Sequence, residues 1–522
     1  MNKEIFTKLS NFLVKIVAII FFVLMGLNTL LVLTKTAIFP SDYQETLYYK
    51  QDNAILNIIF LIIFSIVILI LVKYLKKIIS VKRLVLLVMI YTFIISILFA
   101  ILRRDYVQFD PFHVIDQANN FIRKNYSGLD KGDNYLYIYS HQITTVFIFQ
   151  IILSLFGRAT FILYIMQSFS ISFIIFMLYK IANILFEDED TNYIVVILGA
   201  LCFPLIFYVA FVYGLLPGMF LTLVAYYYFI KYTKEKHWYQ LVISALSINL
   251  AILLIGNNLI HLLAIFAVAV IYFIRNKDWK IIAFILSCVF LMSASKSVIT
   301  NYYEVKSQKE IAEGVPKITW IAMGMQEGER EAGWWNRFNY DIMPEEEYDE
   351  KRITEISKTS MKQRLNVFRD NPKYAFDFYQ RKYENQFIEP TFQSLLVTAP
   401  QRNFSNETTL EKIRDFFVKQ IYFNHTHTVL EFIMKVFQVF VYLFTFVFAV
   451  VMYKRKNEFF AIIPIAFIGG TLFNMIWEAK SRYIFPYFVF LIPLSAYGLV
   501  IVRNKIKEYK KLKEEKDEKS TI

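Results

Sequence analysis

Apolar runs long enough to cross a bilayer alternate with short charged breaks along most of this chain. Runs at 11–34, 54–72, 84–102, 143–157, 160–186, 193–209, 214–231, 239–255, 259–273, 281–299, 430–452, 459–477 and 483–502 predict membrane spans. Crossing ~30 Å of hydrocarbon takes about 20 helical residues. Backbone groups in lipid must be satisfied within their own segment, so runs of this kind predict helices. Two long polar stretches interrupt the series, at 103–142 and 300–429.

The charged breaks set an expected orientation. Lys73, Lys76, Lys77, Lys82 and Arg83 separate the second and third runs, Lys454, Arg455 and Lys456 the eleventh and twelfth, and Arg503, Lys505, Lys507, Lys510, Lys511 and Lys513 open the tail. The positive-inside bias places all three groups in the cytoplasm and both polar stretches outside. Seven runs lie between those stretches, yet a return to the same side needs an even number of crossings. Either one run is not a full span or one hides two; 143–157 and the Pro204/Pro217 region are the suspects.

The expected fold is an all-α polytopic membrane protein with about 12 spans (range about 11–14) and both termini inside. Its segments are 1–102 (first spans), 103–142 (first outer loop), 143–299 (membrane core), 300–429 (outer cap), 430–502 (last spans) and 503–522 (charged tail). Lys3, Lys8 and Lys15 precede or open a stretch too long for a signal-peptide core and followed by no A-x-A-like site, so a retained first span is expected.

Composition agrees: 57% of the 522 residues are hydrophobic and 19% charged, against roughly 45–50% apolar in a soluble domain. The net charge of +13 resides largely in the breaks. No basic groove with interleaved aromatics can be assembled from them, which argues against a nucleic-acid partner. Cys202 and Cys288 lie inside apolar runs, so neither a disulfide framework nor a cysteine metal site is encoded.

In the first polar stretch, Asp110-Pro111 opens a segment in which Phe112, Ile115, Asn119 and Ile122 recur at helical spacing. It reads as an amphipathic helix at the membrane surface, with Asp110 as N-cap and Pro111 at the first helical position. A carboxylate just outside a span is also placed to take a proton from an acceptor hydroxyl, so Asp110 has two readings, cap or general base. Asp116 is a second candidate carboxylate, with a structural or solvated role as its alternative. His113 stands one turn from both, and Asp110, His113 and Asp116 are weak candidates for a divalent metal; His425 and His427 form a similarly unspecific pair. Otherwise no metal or cofactor is expected. Tyr139-Ser140-His141-Gln142 opens the fourth run, either capping a helix or offering donors to a phosphate. Arg103 and Arg104 could anchor lipid phosphate at the outer interface. Glu187 to Asp190 reads as a solvated acidic turn.

In the second stretch, Asn371-Pro372 starts a helix through about Asn385, 345–370 favours another, and Trp320, Trp334 and Trp335 sit among Gly324, Gly328 and Gly333. Near the C-terminus, Trp477-Glu478-Ala479-Lys480-Ser481-Arg482-Tyr483 places three charges in a gap too short for a sizeable loop. Charges so close to the membrane point to function. Arg482 could grip a phosphate bidentately, or pair with Glu478 at i,i+4.

These residues resemble a known group. D-P-x-x-V-x-x-x-A (Asp110 to Ala118), Y-S-H-Q (Tyr139 to Gln142) opening a span that ends L-F-G (Leu155 to Gly157), and Glu478 with S-R-Y (Ser481 to Tyr483), Pro486 and Pro493 resemble the GT-C superfamily of integral membrane glycosyltransferases. The branch is the protein O-mannosyltransferase and aminoarabinose-transferase-like one in its bacterial cell-envelope form. M-G-M (Met323 to Met325) and G-W-W (Gly333 to Trp335) are similar too. Two departures are Ser140, where many members carry Pro, and the two spans ahead of the one leading to Asp110.

The resemblance implies a polyprenyl-phosphate-linked sugar donor and an inverting transfer on the outer face of the plasma membrane. It implies Asp110 as base, with His141 and Arg482 near the lipid phosphate, alongside Lys480 and Tyr483 of the same motif. The acceptor would be an envelope glycan, glycolipid or protein. Other classes that fit the residue pattern are a flippase or transporter of lipid-linked saccharides and a polysaccharide polymerase. Transporters tend to show inverted repeats and charged, interrupted spans, and neither is evident here.

Overall fold

The computed structural model describes residues 3–40, 44–103, 107–400 and 408–521. In chain order the elements are α1 (Lys3–Thr34), β1 (Lys35–Ile38), β2 (Tyr48–Gln51), α2 (Ala54–Ile78), α3 (Val81–Arg103), α4 (Phe109–Ile122), α5 (Tyr135–Ile138), α6 (Ile143–Phe156), α7 (Thr160–Phe186), α8 (Glu189–Leu201), α9 (Phe203–Phe207), α10 (Leu215–Glu235), α11 (Trp238–Leu254), α12 (Leu259–Asn276) and α13 (Lys280–Ser307). The cap follows as α14 (Lys317–Gly324), α15 (Phe338–Glu345), α16 (Glu350–Asp370), α17 (Pro372–Phe387) and α18 (Thr409–Tyr422), then α19 (His425–Arg455), α20 (Ile462–Ile476), α21 (Ser481–Phe490) and α22 (Ile492–Thr521). β1 and β2 pair antiparallel, Lys35 opposite Gln51.

The chain is a mostly helical polytopic membrane protein. By length and composition, eight helices among the described residues can cross a membrane: α1, α2, α3, α7, α12, α13, α19 and α20. The bent pairs α8–α9 (51°) and α21–α22 (52°) bring the number to ten. Pro204 sits in the first turn of α9, where its missing N–H and fixed φ favour a fresh helix start over continuation of α8.

Contacts between helices settle the parity problem. Phe93 packs on Phe169 at 4.7 Å, Ser172 Oγ donates to Met89 O at 2.8 Å, and Tyr193 Oη donates to Ile79 O at 2.6 Å. α7 therefore runs antiparallel to α3, and Thr160 lies at the Arg103 end. α6 begins beside α4 at that same end and finishes just before Thr160, so it does not cross. α10 and α11 do traverse. Lys234 at the end of α10 reaches Ile184 O at 2.7 Å, and Thr144 meets Leu253 O at the far end of α11 at 2.7 Å. Six traverses then separate the two polar stretches, and 143–157 is the run that sequence length alone misassigns.

One end of the bundle gathers the basic breaks. There the acidic turn is not merely solvated: Lys76 pairs with Glu189 at 2.8 Å and Asp190 at 2.6 Å, Arg503 also pairs with Asp190, and Lys234 meets Glu187 at 2.7 Å. Asp188 caps α8 through Thr191 N at 2.7 Å. The other end carries α4–α6, the hairpin and the cap. Close packing between spans relies on small residues: a Cβ on Gly498 of α22 would overlap the Phe444 carbonyl of α19.

The cap is rooted in the bundle. Residues 382–399 are buried, with Phe392 packed on Phe485 and Phe488, Tyr208 Oη donating to Phe392 O, and Gln438 donating to Phe387 O at 3.0 Å. Glu389 is enclosed there. Its carboxylate accepts from Thr391 N at 2.7 Å, Gln393 N at 2.7 Å, Ser481 Oγ at 2.8 Å and the Thr391 hydroxyl.

Burial pushes the Glu389 carboxyl up to about 7 from an ordinary 4.5, against the pull of those donors. A carboxyl raised in this way contributes stability that is full below the unfolded value and lost as pH rises through the folded one. Glu389→Gln is expected to melt below wild type at pH ~5, with the gap narrowing by pH ~8 as the wild type takes on the ionisation cost. Thermal unfolding in detergent across that range checks this; a constant gap would remove Glu389 ionisation from the stability of the bundle.

Candidate functional site

Asp110 lies in the first turn of α4, but it is not the cap. The helix begins at Phe109 with Gln108 as N-cap. The Asp110 side chain makes no hydrogen bond or ion pair among the described residues. It stands half-buried within electrostatic reach of Tyr135, Tyr139, His141, Tyr213, Arg482 and Tyr483. The face that α4 buries is Val114, Ile115, Ala118 and Phe121, with Phe112 exposed. α4 thus lies against α6 with Asp110 at its start.

His113 and Asp116 do not join Asp110 in a ligand set. His113 stacks on Tyr135 at 4.9 Å and 14°, and Asp116 accepts from Asn120 at 3.0 Å. His427 is engaged by Glu431 at 3.2 Å and Ile421 O at 3.0 Å. Among the described residues no three His, Cys, Asp or Glu side chains form a metal-sized cluster. Arg103 is buried, its Nε donating to Thr398 O, which ties the end of α3 to the loop after α17. Arg104 lies outside the described residues.

His141 sits in a single turn ahead of α6, with Gln142 Nε2 at 3.1 Å from its Nε2 and Ser140 Oγ donating to Glu313 O at 2.7 Å. Burial pushes its imidazole down to about 4 although Asp110 opposes this. At neutral pH it is therefore an uncharged hydrogen-bonding group rather than a cation. More than a third of the residue stays accessible.

The C-terminal motif lies within electrostatic reach of Asp110. Glu478 and Lys480 are buried, at 4% and 3% exposure, while Arg482 and Tyr483 keep accessible surface. The expected direct pair between Glu478 and Arg482 is replaced by a relay. Arg482 Nη2 donates to Tyr483 Oη at 3.2 Å, and Tyr483 Oη donates to Glu478 Oε2 at 3.0 Å. The guanidinium lies over the Tyr483 ring at 5.1 Å and the Phe211 ring at 5.8 Å. No carboxylate contacts it directly among the described residues. Among the described residues the site thus holds one carboxylate without a hydrogen-bond partner and one guanidinium without a direct carboxylate contact, within electrostatic reach of each other and of several tyrosines.

Three motif segments distant in sequence converge through Lys382, which the sequence places along the helix that starts at Asn371-Pro372 without giving it a role. Lys382 of α17 donates its ammonium to Gly324 O and, at 2.8 Å, to Trp477 O. Beside it, Ala479 N donates to Gly333 O at 2.9 Å. Gly324 is obligatory because a Cβ would come within 2.5 Å of the Trp477 carbonyl oxygen, and Gly333 adopts φ +71° against the Lys382 chain. Burial pushes Lys382 down to about 7, with Glu478 opposing. Glu45, in the turn between β1 and β2, was missed. It meets Lys480 at 3.2 Å and Arg330 at 3.0 Å. Burial works against its ionisation, but Lys480, Arg330 and Arg482 together hold it below the usual carboxylate range.

A family model described as "conserved hypothetical integral membrane protein" matches residues 9–499. The chain belongs to that family. No curated protein matches it. Among solved structures it is similar to ArnT from Cupriavidus metallidurans bound to undecaprenyl phosphate, at 12% identity and a TM-score of 0.35, over 80% of this chain and 77% of that one.

Proposed function

We propose that this membrane protein is a glycosyltransferase that moves a sugar from a polyprenyl-phosphate donor to an envelope acceptor at the extracytoplasmic face. The observation that carries this reading is the proximity of two groups. An Asp110 carboxylate that caps no helix lies within electrostatic reach of the Arg482 guanidinium, which no carboxylate contacts directly among the described residues, and the two come from the motifs that resemble the GT-C superfamily. A base and a phosphate-binding cation close to one another are what an inverting transfer needs.

In the proposed step the acceptor O–H gives its proton to Asp110 as its oxygen forms the new bond to the anomeric carbon. The bond from that carbon to the phosphate oxygen breaks on the other side. The electron pair leaves with the polyprenyl phosphate, whose growing charge is met by Arg482, held in place by Tyr483 and Glu478. Neutral His141 offers a hydrogen bond at the same site. The basic breaks all lie at the far end of the bundle, and the positive-inside bias then puts the site outside the cytoplasm. No metal enters this scheme.

Purified protein in proteoliposomes supplied with radiolabelled polyprenyl-phosphate sugar is expected to release label to an acceptor or to water. If label instead crosses the bilayer with the glycosyl–phosphate bond intact, the protein is a flippase of lipid-linked saccharides. Transfer only of preassembled oligosaccharide would mark a polymerase.

A further inference from the structure

The first two spans carry more than membrane anchorage. The hairpin between α1 and α2 is fixed by three contacts that do not involve Glu45, two to the cap and one to α19. Lys35 Nζ meets Glu384 at 2.7 Å, Tyr49 Oη donates to Glu331 at 2.8 Å, and Lys435 meets Asp52 at 3.2 Å. The hairpin therefore has its own footing, and Glu45 is presented from it.

What Glu45 touches is the buried edge of the proposed phosphate-binding site. Lys480 lies between two carboxylates, Glu45 at 3.2 Å and Glu478 at 3.6 Å, with the Trp334 ring 5.5 Å from its ammonium. Arg330 holds the other Glu45 oxygen at 3.0 Å while its own guanidinium lies over Trp335 at 4.9 Å. Glu478 in turn is the acceptor for Tyr483, which receives Arg482. A buried ammonium stripped of one of two carboxylates draws harder on the one that remains, because an uncompensated buried charge is costly. Without Glu45, Lys480 would turn fully to Glu478 and pull it from Tyr483.

We propose that Glu45 is a positioning residue contributed by the two-span N-terminal unit: it shares Lys480 with Glu478, which leaves Glu478 to hold Tyr483 and, through Tyr483, to aim Arg482. This rests on the reading of Arg482 as the group that meets the donor phosphate.

The test is binding of polyprenyl phosphate to the full-length protein in nanodiscs. Glu45→Gln is expected to weaken binding about tenfold, the order of one charge-assisted hydrogen bond, and Glu45→Asp to recover part of the loss. In Lys480→Met, adding Glu45→Gln should cost nothing further, because no ammonium remains to misdirect Glu478. Tyr49→Phe, which loosens the hairpin elsewhere, should leave affinity near wild type. Unchanged affinity in Glu45→Gln, or a loss that simply adds to that of Lys480→Met, overturns the proposal. Failure of the wild type to bind polyprenyl phosphate overturns the donor reading, and the proposal falls with it; that outcome is visible before any variant is compared.

Discussion

Asp110→Asn is expected to lower sugar transfer by about 10²–10⁴-fold, the range for loss of a general base, while polyprenyl-phosphate binding stays within about twofold of wild type. The carboxamide keeps the size of the side chain and its place at the start of α4. It cannot take the acceptor proton. Stability should change little, because Gln108 rather than Asp110 caps the helix and the carboxylate has no partner to lose among the described residues. Single-turnover transfer and donor binding, measured on the same preparation, separate the two effects. Full activity in the variant would remove Asp110 from the chemistry; equal loss of binding would make it a donor-binding group.

Arg482→Lys is the second substitution with a large expected effect, about 10²–10³-fold in transfer, comparable with removing one preorganised donor from a developing anion. The lysine keeps the charge but loses the planar fork that lies over the Tyr483 and Phe211 rings and that the proposed reading turns to a phosphate through two N–H groups. Donor affinity should fall as well, because the phosphate carries charge before the bond breaks. Arg482→Met should be worse in both respects. The pattern to look for is therefore a change in both donor affinity and turnover, unlike the turnover-only loss of Asp110→Asn. Wild-type affinity in Arg482→Lys would place the donor phosphate elsewhere.

The spans were legible because length and apolarity are local properties: ten of the thirteen runs seen in the sequence fall on helices or bent helix pairs long and apolar enough to cross a membrane, and α10 and α11 run along the same bundle. The exception, 143–157, is as apolar as its neighbours, and only the direction of α7 relative to α3 shows that α6 stays at one end. Asp110 and the 477–483 motif stood out because charge beside a membrane is rare enough to signal a role. The cap-or-base ambiguity at Asp110 could not be resolved locally, since Asp-Pro opens helices well; a left-handed Phe109 (φ +58°) starts the helix two residues earlier than expected. The roles of Lys382 and Glu45 were invisible for a different reason. Each residue lies in an ordinary polar stretch, and its meaning comes wholly from partners far along the chain.

That separation has a consequence for synthesis. Lys35 and Glu384 are 349 residues apart and Glu45 and Lys480 435. The ribosome delivers the N-terminal hairpin first, and its charges wait through nearly the whole of translation for the groups that neutralise them. The surroundings of Arg482 are therefore completed only with the last hairpin of spans, and a chain truncated between residues 142 and 477 carries Asp110 and His141 but none of Glu478, Lys480, Arg482 and Tyr483.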